Sequence, residues 1–133
     1  MRHEPYDRLY LAGIEHFNAC EFYEAHEAWE ELWIEAAQAS RAFYQGLIQT
    51  AVCLHHFGNG NVRGARKLYQ SCRRYLEPFR PRYSGLDVDK LLDELERCCA
   101  QINAGGEEDV PGNIDPQLVP EIHLDPPPGD ASP

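Results

Sequence analysis

The stretch FYQGLIQTAVCL, residues 43–54, determines the fold. Apolar side chains occupy most of the circumference of a helix drawn through it, so neighbours must cover that helix on several sides. Gly46 within it should cost about 1 kcal/mol relative to Ala, and that cost is reasonable if a neighbouring helix approaches closely there. We therefore place this helix, the third in the chain, at the centre of the molecule.

The segments before and after this stretch also have helical periodicity. Apolar residues recur every three or four positions, and no alternating run is long enough to predict a strand. The predicted helices run from Pro5 to Asn18, from Glu21 to Ala37, from a cap at Ser40 to Phe57, from a cap at Asn61 to Leu76, and from a cap at Asp87 through Ile102 to Gly105-Gly106. The connections are short, so the predicted fold class is all-α, a compact bundle of about five antiparallel helices.

The C-terminal part of the chain has a different composition. Residues 105–133 contain seven of the 22 acidic residues and seven of the ten Pro, but no Lys or Arg. Because Pro cannot continue a helix, we predict a helical domain over residues 1–104 and an extended, partly disordered Pro-rich acidic tail over residues 105–133. The tail would dock through its one apolar cluster, Leu118, Val119, Ile122 and Leu124.

Composition excludes several classes of protein. The 133 residues are 43% hydrophobic, too apolar for a wholly disordered chain, and no apolar run approaches the ~20 residues that span a bilayer. The formal net charge of −10 argues against direct binding of nucleic acid. The N-terminus lacks the pattern of a secretion signal, and five Cys without a repeated C-x-x-C pair favour reduced, mostly buried thiols. Together these features predict a cytoplasmic protein.

The second helix carries the side chains best suited to chemistry. Its sequence EFYEAHEAWEELWIE, residues 21–35, contains six Glu and one His but no Lys or Arg. On a helical wheel His26 lies within the core-facing stripe, Glu30 lies one turn further on at its edge, and Glu27 lies farther out. The third helix offers a polar face of its own, formed by Arg41, Gln45, Gln49 and His56. Since buried amides need hydrogen-bond partners, we expect a polar cluster between helices two and three, in which Arg41 could hold a Glu through two hydrogen bonds.

Three interpretations of this cluster remain open. It could be a structural network that hydrogen-bonds His26 to Glu30 or to a Gln and fixes the helix register. It could be a divalent metal site that uses His26 and Glu30, with Glu27, His56 or a Gln as further ligands. It could also be an acid/base pair of a hydrolase or transferase. Glu30 replaces the second His of the zinc-protease pattern His-Glu-x-x-His, and no pair of Glu-x-x-His motifs exists, so neither of these metal patterns is complete.

A structural role is the simpler interpretation for two further sets of residues. His55 and His56 are placed to interact with the C-terminal end of the third helix. The basic series on the fourth helix is either the electrostatic complement of the acidic second helix or a solvated face. It consists of Arg63, Arg66, Lys67, Arg73 and Arg74.

The segment FNACEFYEAHEAWEELW, residues 17–33, resembles an uncharacterised family, number 309 among the domains of unknown function. The likeness continues through residues 43–49, 60–65 and 85–87, and covers about residues 5 to 102. The resemblance implies a small all-helical bundle with a signature at His26, Glu27 and Glu30. The companion positions that it implies are Gln45, Gly46, Gln49, Arg63 and Gly64. Cys20 stands where the resemblance predicts Gly in the turn between helices one and two. The family has no established activity.

Two functions follow as hypotheses. The first is an uncharacterised cytoplasmic helical-bundle protein with a site for a divalent metal ion or a small ligand between helices two and three. The candidate residues for that site are His26, Glu27, Glu30, Gln45, Gln49 and Arg63. The alternative is a non-enzymatic protein–protein interaction module that holds a partner, or a second copy of itself, through its helix pairs or its tail. The residues leave enzymatic activity open.

Overall fold

A computed structural model describes residues 6–100 and 115–125 of the chain. Its helices are α1 (Arg8–Asn18), α2 (Phe22–Glu35), α3 (Gln38–Gly58), α4 (Val62–Leu76) and α5 (Val88–Cys98). A single 3-10 turn (Glu77–Phe79) and two short strands, β1 (Arg82–Tyr83) and β2 (Leu86–Asp87), connect α4 to α5. The predicted all-α bundle is confirmed. None of the helices in the described ranges has the length and apolar character needed to cross a membrane.

Helix α3 lies in the middle of a layer of three helices. It packs against α2 on one side and α4 on the other, and α1 packs against α2. Phe43, Leu47 and Leu54 of α3 are fully buried. One face of α3 nevertheless remains partly exposed, the face that carries Arg41, Gln45 and Gln49. The central position is therefore confirmed, although neighbours do not cover α3 on every side.

Two glycines permit the close approach of helices. A Cβ added at Gly46 would lie 2.6 Å from Leu76 Cδ2, which confirms the predicted close contact with a neighbouring helix, α4. At Gly13 of α1, an added Cβ would collide with the indole ring of Trp29. Trp29 is fully buried and donates a hydrogen bond from Nε1 to the carbonyl of Tyr10, 3.2 Å away. The α1–α2 and α3–α4 contacts therefore each depend on a residue without a side chain.

The chain turns in the same way between α1 and α2 as between α3 and α4. In the first turn, the Cys20 amide donates to the Phe17 carbonyl and the Glu21 amide donates to the His16 carbonyl. In the second turn, forty positions later, the Gly60 amide donates to Phe57 and the Asn61 amide donates to His56. Cys20 and Gly60 both have positive φ, 62° and 80°. The body thus contains two helix-turn-helix hairpins with the same turn.

The predicted helix caps are right at two positions and wrong at one. The side chains of Asn61 and Asp87 accept hydrogen bonds from the amides of Gly64 and Lys90, both at 2.9 Å. Helix α3, however, begins at Gln38 with Ala37 as its N-cap. Ser40 therefore lies inside the helix, and its hydroxyl lies 3.1 Å from the hydroxyl of Tyr83. The hydroxyl of Ser40 thus contacts the hairpin before α5 and does not cap its own helix.

A small hairpin between α4 and α5 is the element that periodicity missed. β1 and β2 pair antiparallel, Arg82 with Asp87 and Tyr83 with Leu86. Ser84 and Gly85 form the turn with φ values of 51° and 78°, the positive values that a tight two-residue hairpin turn requires. Strands of two residues are too short to show alternation. The hairpin also anchors α1, because the Tyr10 hydroxyl donates to the Ser84 carbonyl at 3.0 Å.

Residues 115–125 form an extended strap that docks on the helical body. Ile122 is buried, and both its backbone groups bond to the Asn18 side chain at 2.9 Å. Asp125 pairs with Arg82 at 2.6 Å. Val119 and Leu124 are partly buried, whereas Leu118 is 41% exposed. Docking therefore uses three of the four predicted apolar residues. The predicted end of helix five and the distal end of the tail lie outside the described residues.

Candidate functional site between helices α2 and α3

His26 is half-buried on α2 and is already engaged by its own helix. Its Nδ1 lies 2.7 Å from the carbonyl oxygen of Tyr23, one turn earlier. Because a carbonyl only accepts, Nδ1 must carry the proton in this bond. The imidazole ring also contacts the Tyr23 ring, with centroids 4.9 Å apart. Among the described residues, His26 forms its hydrogen bond with Tyr23 and none with Glu30 or a Gln of α3, the partners that the structural interpretation named.

The two carboxylates of the sequence signature point away from this histidine. Glu27 and Glu30 are exposed, and neither forms a side-chain hydrogen bond or an ion pair with any residue in the described ranges. Over the same residues, no three His, Cys, Asp or Glu side chains are grouped closely enough to hold a metal ion. The geometry consequently gives no support to His26 and Glu30 as metal ligands, or to an acid/base pair formed by them.

The polar face of α3 is used differently from the expectation. The Arg41 guanidinium stacks over the Trp33 ring, 4.2 Å from its centroid, instead of pairing with a Glu. Gln49 Oε1 is buried and has no hydrogen-bond partner among the described residues. Gln45 is half-buried and lines a groove with Trp33, Arg41 and Tyr75. The face therefore opens between α2 and α4, so it does not meet His26 in a closed cluster.

That groove has a volume of about 670 Å³. Its walls are Trp33 of α2 and Tyr75 of α4, and its floor is the first half of α3. An aromatic ring, a stacked guanidinium and an amide converge there, a combination suited to binding without covalent chemistry. Periodicity could not find it, because Trp33 falls on the apolar stripe of α2 and is read as core.

A row of aromatic and imidazole rings lies at the opposite end of the α2–α3 contact from the groove, near the C-terminal end of α3. The Tyr23 and His55 rings lie 5.6 Å apart, and those of His55 and His56 lie 6.2 Å apart. Burial lowers the pKa of the His56 imidazole, and the neighbouring His55 lowers it further, to a smaller extent. The Asn61 amide nitrogen lies 3.2 Å from His56 Nδ1. Because the Asn61 oxygen already caps α4, its nitrogen donates to the ring. The Asn59 amide nitrogen lies 3.2 Å from His55 Nε2, so both histidines contact the turn after α3, which supports their structural interpretation.

Arg63 lies apart from the other candidates. It is exposed near the start of α4, and α3 separates α4 from α2. The structure therefore brings Gln45 and Gln49 to one face, leaves Glu27 and Glu30 in solvent, and places Arg63 on the far side of α3. The thiols offer no alternative centre, because burial raises the pKa of Cys72 to about 11 and four of the five Cys are buried.

Comparison with known proteins bears on the same part of the chain. A family described as "Domain of unknown function (DUF309)" matches residues 10–68, from α1 into α4. This range contains all six candidate residues, and it covers less of the chain than the predicted resemblance does.

Two relatives extend the similarity. The uncharacterised protein YpuF of Bacillus subtilis (strain 168) is 32% identical over 101 residues, which are 73% of this chain and 58% of the relative. An uncharacterised protein of Aquifex aeolicus (strain VF5) is 25% identical over 99 residues, 74% of this chain and 30% of the relative. The chain thus spans less than two thirds of the length of either relative. No solved structure matches it. The resemblance to the uncharacterised family DUF309 that the sequence motifs predict is thus confirmed over residues 10–68.

Proposed function

We propose that this protein is a non-enzymatic binding domain that holds a protein partner on the outer face of the α2–α3–α4 layer. This outer face comprises exposed residues of α2 and α4 and the groove that α3 floors between them. Its principal residues are Tyr23, Glu27, Glu30 and Ile34 of α2, Arg41 and Gln45 of α3, and Lys67, Arg74 and Tyr75 of α4.

The observation that carries the proposal is the distribution of exposed apolar side chains. Among the described residues, five large hydrophobic side chains are exposed, and three of them, Tyr23, Ile34 and Tyr75, belong to the outer face. Ile34 and Tyr23 have the largest exposed fractions of the five, 65% and 50%. They are eleven positions apart on α2, which places them within about 20° of each other on the helix. Apolar side chains gathered on one exposed face are typical of interaction surfaces.

The groove adds a second feature of binding surfaces. Trp33 and Tyr75 wall it, and Arg41 is held in place by stacking on Trp33 at 4.2 Å. Trp, Tyr and Arg are the residues that most often dominate the binding energy of protein interfaces. A guanidinium already fixed against an indole loses little side-chain entropy when a partner binds.

The competing interpretations fit the geometry less well. A metal or acid/base site requires His26 and Glu30 to face a common point, whereas His26 bonds to the Tyr23 carbonyl and Glu30 is exposed. Binding requires no such convergence. It requires accessible aromatic and apolar groups on a rigid scaffold, and the helices of this layer provide one.

Photo-crosslinking in cells that produce the protein tests the proposal. A benzophenone amino acid replaces Ile34 in one variant and Tyr75 in another, and Glu96, exposed on α5, serves as the matched control position. We expect protein adducts from positions 34 and 75 and none from position 96. Mass spectrometry then identifies the adduct. Absence of adducts from positions 34 and 75 above the level at position 96 would refute the proposal.

A purified partner allows a quantitative check. Ile34→Glu should weaken its binding about tenfold or more, equivalent to ~1.4 kcal/mol. Leu11→Glu should leave binding unchanged, because Leu11 is exposed to 39% on α1 and lies outside the outer face. Equal effects of the two substitutions would point to a general loss of solubility or stability instead of a binding surface.

A further inference from the structure

We infer that the partner is a second copy of this chain, bound so that α2 of each copy lies over α4 of the other. The inference rests on the proposed binding function of the outer face and names its occupant. The observation behind it is a division of charge across this face, acidic along α2 and basic along α4.

The two helices carry opposite charge. Helix α2 (Phe22–Glu35) contains five Glu and no Lys or Arg. Helix α4 (Val62–Leu76) contains five Arg or Lys and no Asp or Glu. In the repeated hairpin, Lys67 occupies the position of Glu27, forty residues later, and Arg74 occupies that of Ile34. On the outer face, Glu27 and Glu30 form an acidic ridge on one side, and Lys67 and Arg74 form a basic ridge on the other. Arg73 does not belong to the basic ridge, because it turns towards α5 and donates to the Leu92 carbonyl at 3.2 Å.

Neither ridge is neutralised within the described part of the chain. Glu27, Glu30, Lys67 and Arg74 are exposed and take part in no ion pair with a described residue. Helix α5 differs, because Lys90 pairs with Glu94 at 3.0 Å and Arg97 with Asp93 at 2.9 Å. The alternative that the basic series of α4 complements the acidic α2 within one molecule is therefore not supported at these positions, since α3 separates the two helices.

Contacts with α3 determine how α2 and α4 are aligned along their axes, and therefore which residues of the two ridges lie side by side. Near the end of α3, the Tyr23 ring meets the His55 ring at 5.6 Å, and Cys53 Sγ lies 3.2 Å from the Ala65 carbonyl. Near its beginning, Trp33 stacks with Arg41, and Gly46 faces Leu76. Helices α2 and α4 therefore run parallel on either side of α3, with Glu27 and Lys67 at about the same height.

This arrangement selects one symmetric pairing. A two-fold axis that runs parallel to α3 in the plane of the interface places α2 of each copy over α4 of the other. The acidic ridge of each copy then lies on the basic ridge of its partner. Glu27 of one copy then lies level with Lys67 of the second, and Ile34 lies beside Tyr75. An axis across α3 would instead place Glu against Glu, which is unfavourable. A pair about the first axis neutralises both ridges and covers Ile34 and Tyr75.

Charge reversal on each ridge tests the pairing. The first variant carries Glu27→Lys and Glu30→Lys, and the second carries Lys67→Glu and Arg74→Glu. In sedimentation equilibrium of the full chain, we expect the wild type to be a dimer and each variant to dissociate at least about tenfold more readily, since both of its ridges then repel. An equimolar mixture of the two variants should form a heterodimer, because each altered ridge then meets one of opposite charge.

Controls separate this inference from the proposed function. Glu96→Lys, on α5, should leave the dimer intact, and circular dichroism of each variant verifies that it is folded. Added salt should weaken the wild-type dimer, since exposed charges are screened. A monomeric wild type, or a mixture of variants that stays monomeric, overturns the second copy as partner. Crosslinks from positions 34 and 75 to a different protein would then still support the binding function, whereas their absence would remove both.

Discussion

The α1–α2 hairpin and the α3–α4 hairpin reverse the chain with the same backbone hydrogen bonds but with different side chains. At the residue with positive φ, the first turn has Cys20 and the second has Gly60. At the last turn of the preceding helix, His16 Nδ1 lies 2.7 Å from the Glu21 carboxylate, whereas His56 Nδ1 faces the amide of Asn61. The same backbone conformation therefore reverses the chain in both hairpins, while the side chains around the two turns form different contacts.

Close packing within the two hairpins also differs. In the first, Gly13 faces the indole of Trp29, a rigid ring held by its bond to the Tyr10 carbonyl. In the second, Gly46 faces the Cδ2 and Cγ atoms of Leu76, an aliphatic side chain that rotates more freely than an indole ring. The same requirement for a small residue is thus imposed by a rigid neighbour in one hairpin and by a flexible one in the other.

Substitution of these glycines should give the largest effect. Gly13→Ala should lower the free energy of unfolding by about 3 kcal/mol, because the new methyl group and the indole cannot both be accommodated. Gly46→Ala should cost only about 1–2 kcal/mol, since Leu76 can move and Ala is the better helix former. Denaturant melts measure both.

Gly58→Ala provides the control for this pair. Gly58 is exposed at the end of α3, so its substitution should change stability by less than about 0.5 kcal/mol. Equal losses at Gly13 and Gly46 would show that the nature of the facing side chain does not matter.

The turns should respond in opposite directions. Cys20→Gly should raise the free energy of unfolding by about 0.5–1 kcal/mol, because a residue with a Cβ is strained at a φ of 62°. Gly60→Ala should lower it by about 1 kcal/mol for the same reason. Ala19→Gly, next to Cys20 but at a φ of −90°, should be destabilising and serves as the control. A loss of stability in Cys20→Gly would contradict the equivalence of the two turns.

The smallest effect should come from pH. Burial, with His55 as a second cause, lowers the pKa of His56 in the folded protein, so the unfolded chain binds a proton more readily. Stability is therefore greatest above the ordinary histidine pKa of about 6.5 and falls as the pH drops through the folded value. The expected loss is less than about 1 kcal/mol because the ring is partly exposed.

Melts of His56→Gln and of Gln70→Asn, an exposed control position on α4, between neutral and mildly acidic pH test this pH dependence. His56→Gln should flatten it, and Gln70→Asn should leave it unchanged. A wild type that becomes more stable as the pH falls would contradict the assignment of His56.

The sequence predicts the fold better than the contacts of the candidate site, and particular residues show why. Asn61 and Asp87 were predictable as caps because a cap bonds to an amide three residues away. Ser40 was not, because its hydroxyl meets Tyr83, 43 positions away. The two-residue strands could not show alternation. Local rules succeed where partners are close in sequence and fail where packing brings distant residues together.

The same limit applies to the candidate site. A helical wheel gives the direction of His26 but not its partner, which is the Tyr23 carbonyl one turn earlier on the same helix. Arg41 was expected to hold a carboxylate, yet it stacks on Trp33. The outer face depends on which sides of α2 and α4 remain uncovered, and this is known only once the position of α3 between them is established.

The strap has a consequence for the order of folding. Asn18, at the end of the first helix, is bonded to Ile122, and these positions are 104 residues apart in the chain. During synthesis the two hairpins can assemble from contacts between neighbouring segments, but α1 cannot complete its packing until residue 122 has left the ribosome. We therefore expect the final docking of the strap to follow assembly of the helices, since the most distant contacts carry the greatest loop-closure entropy.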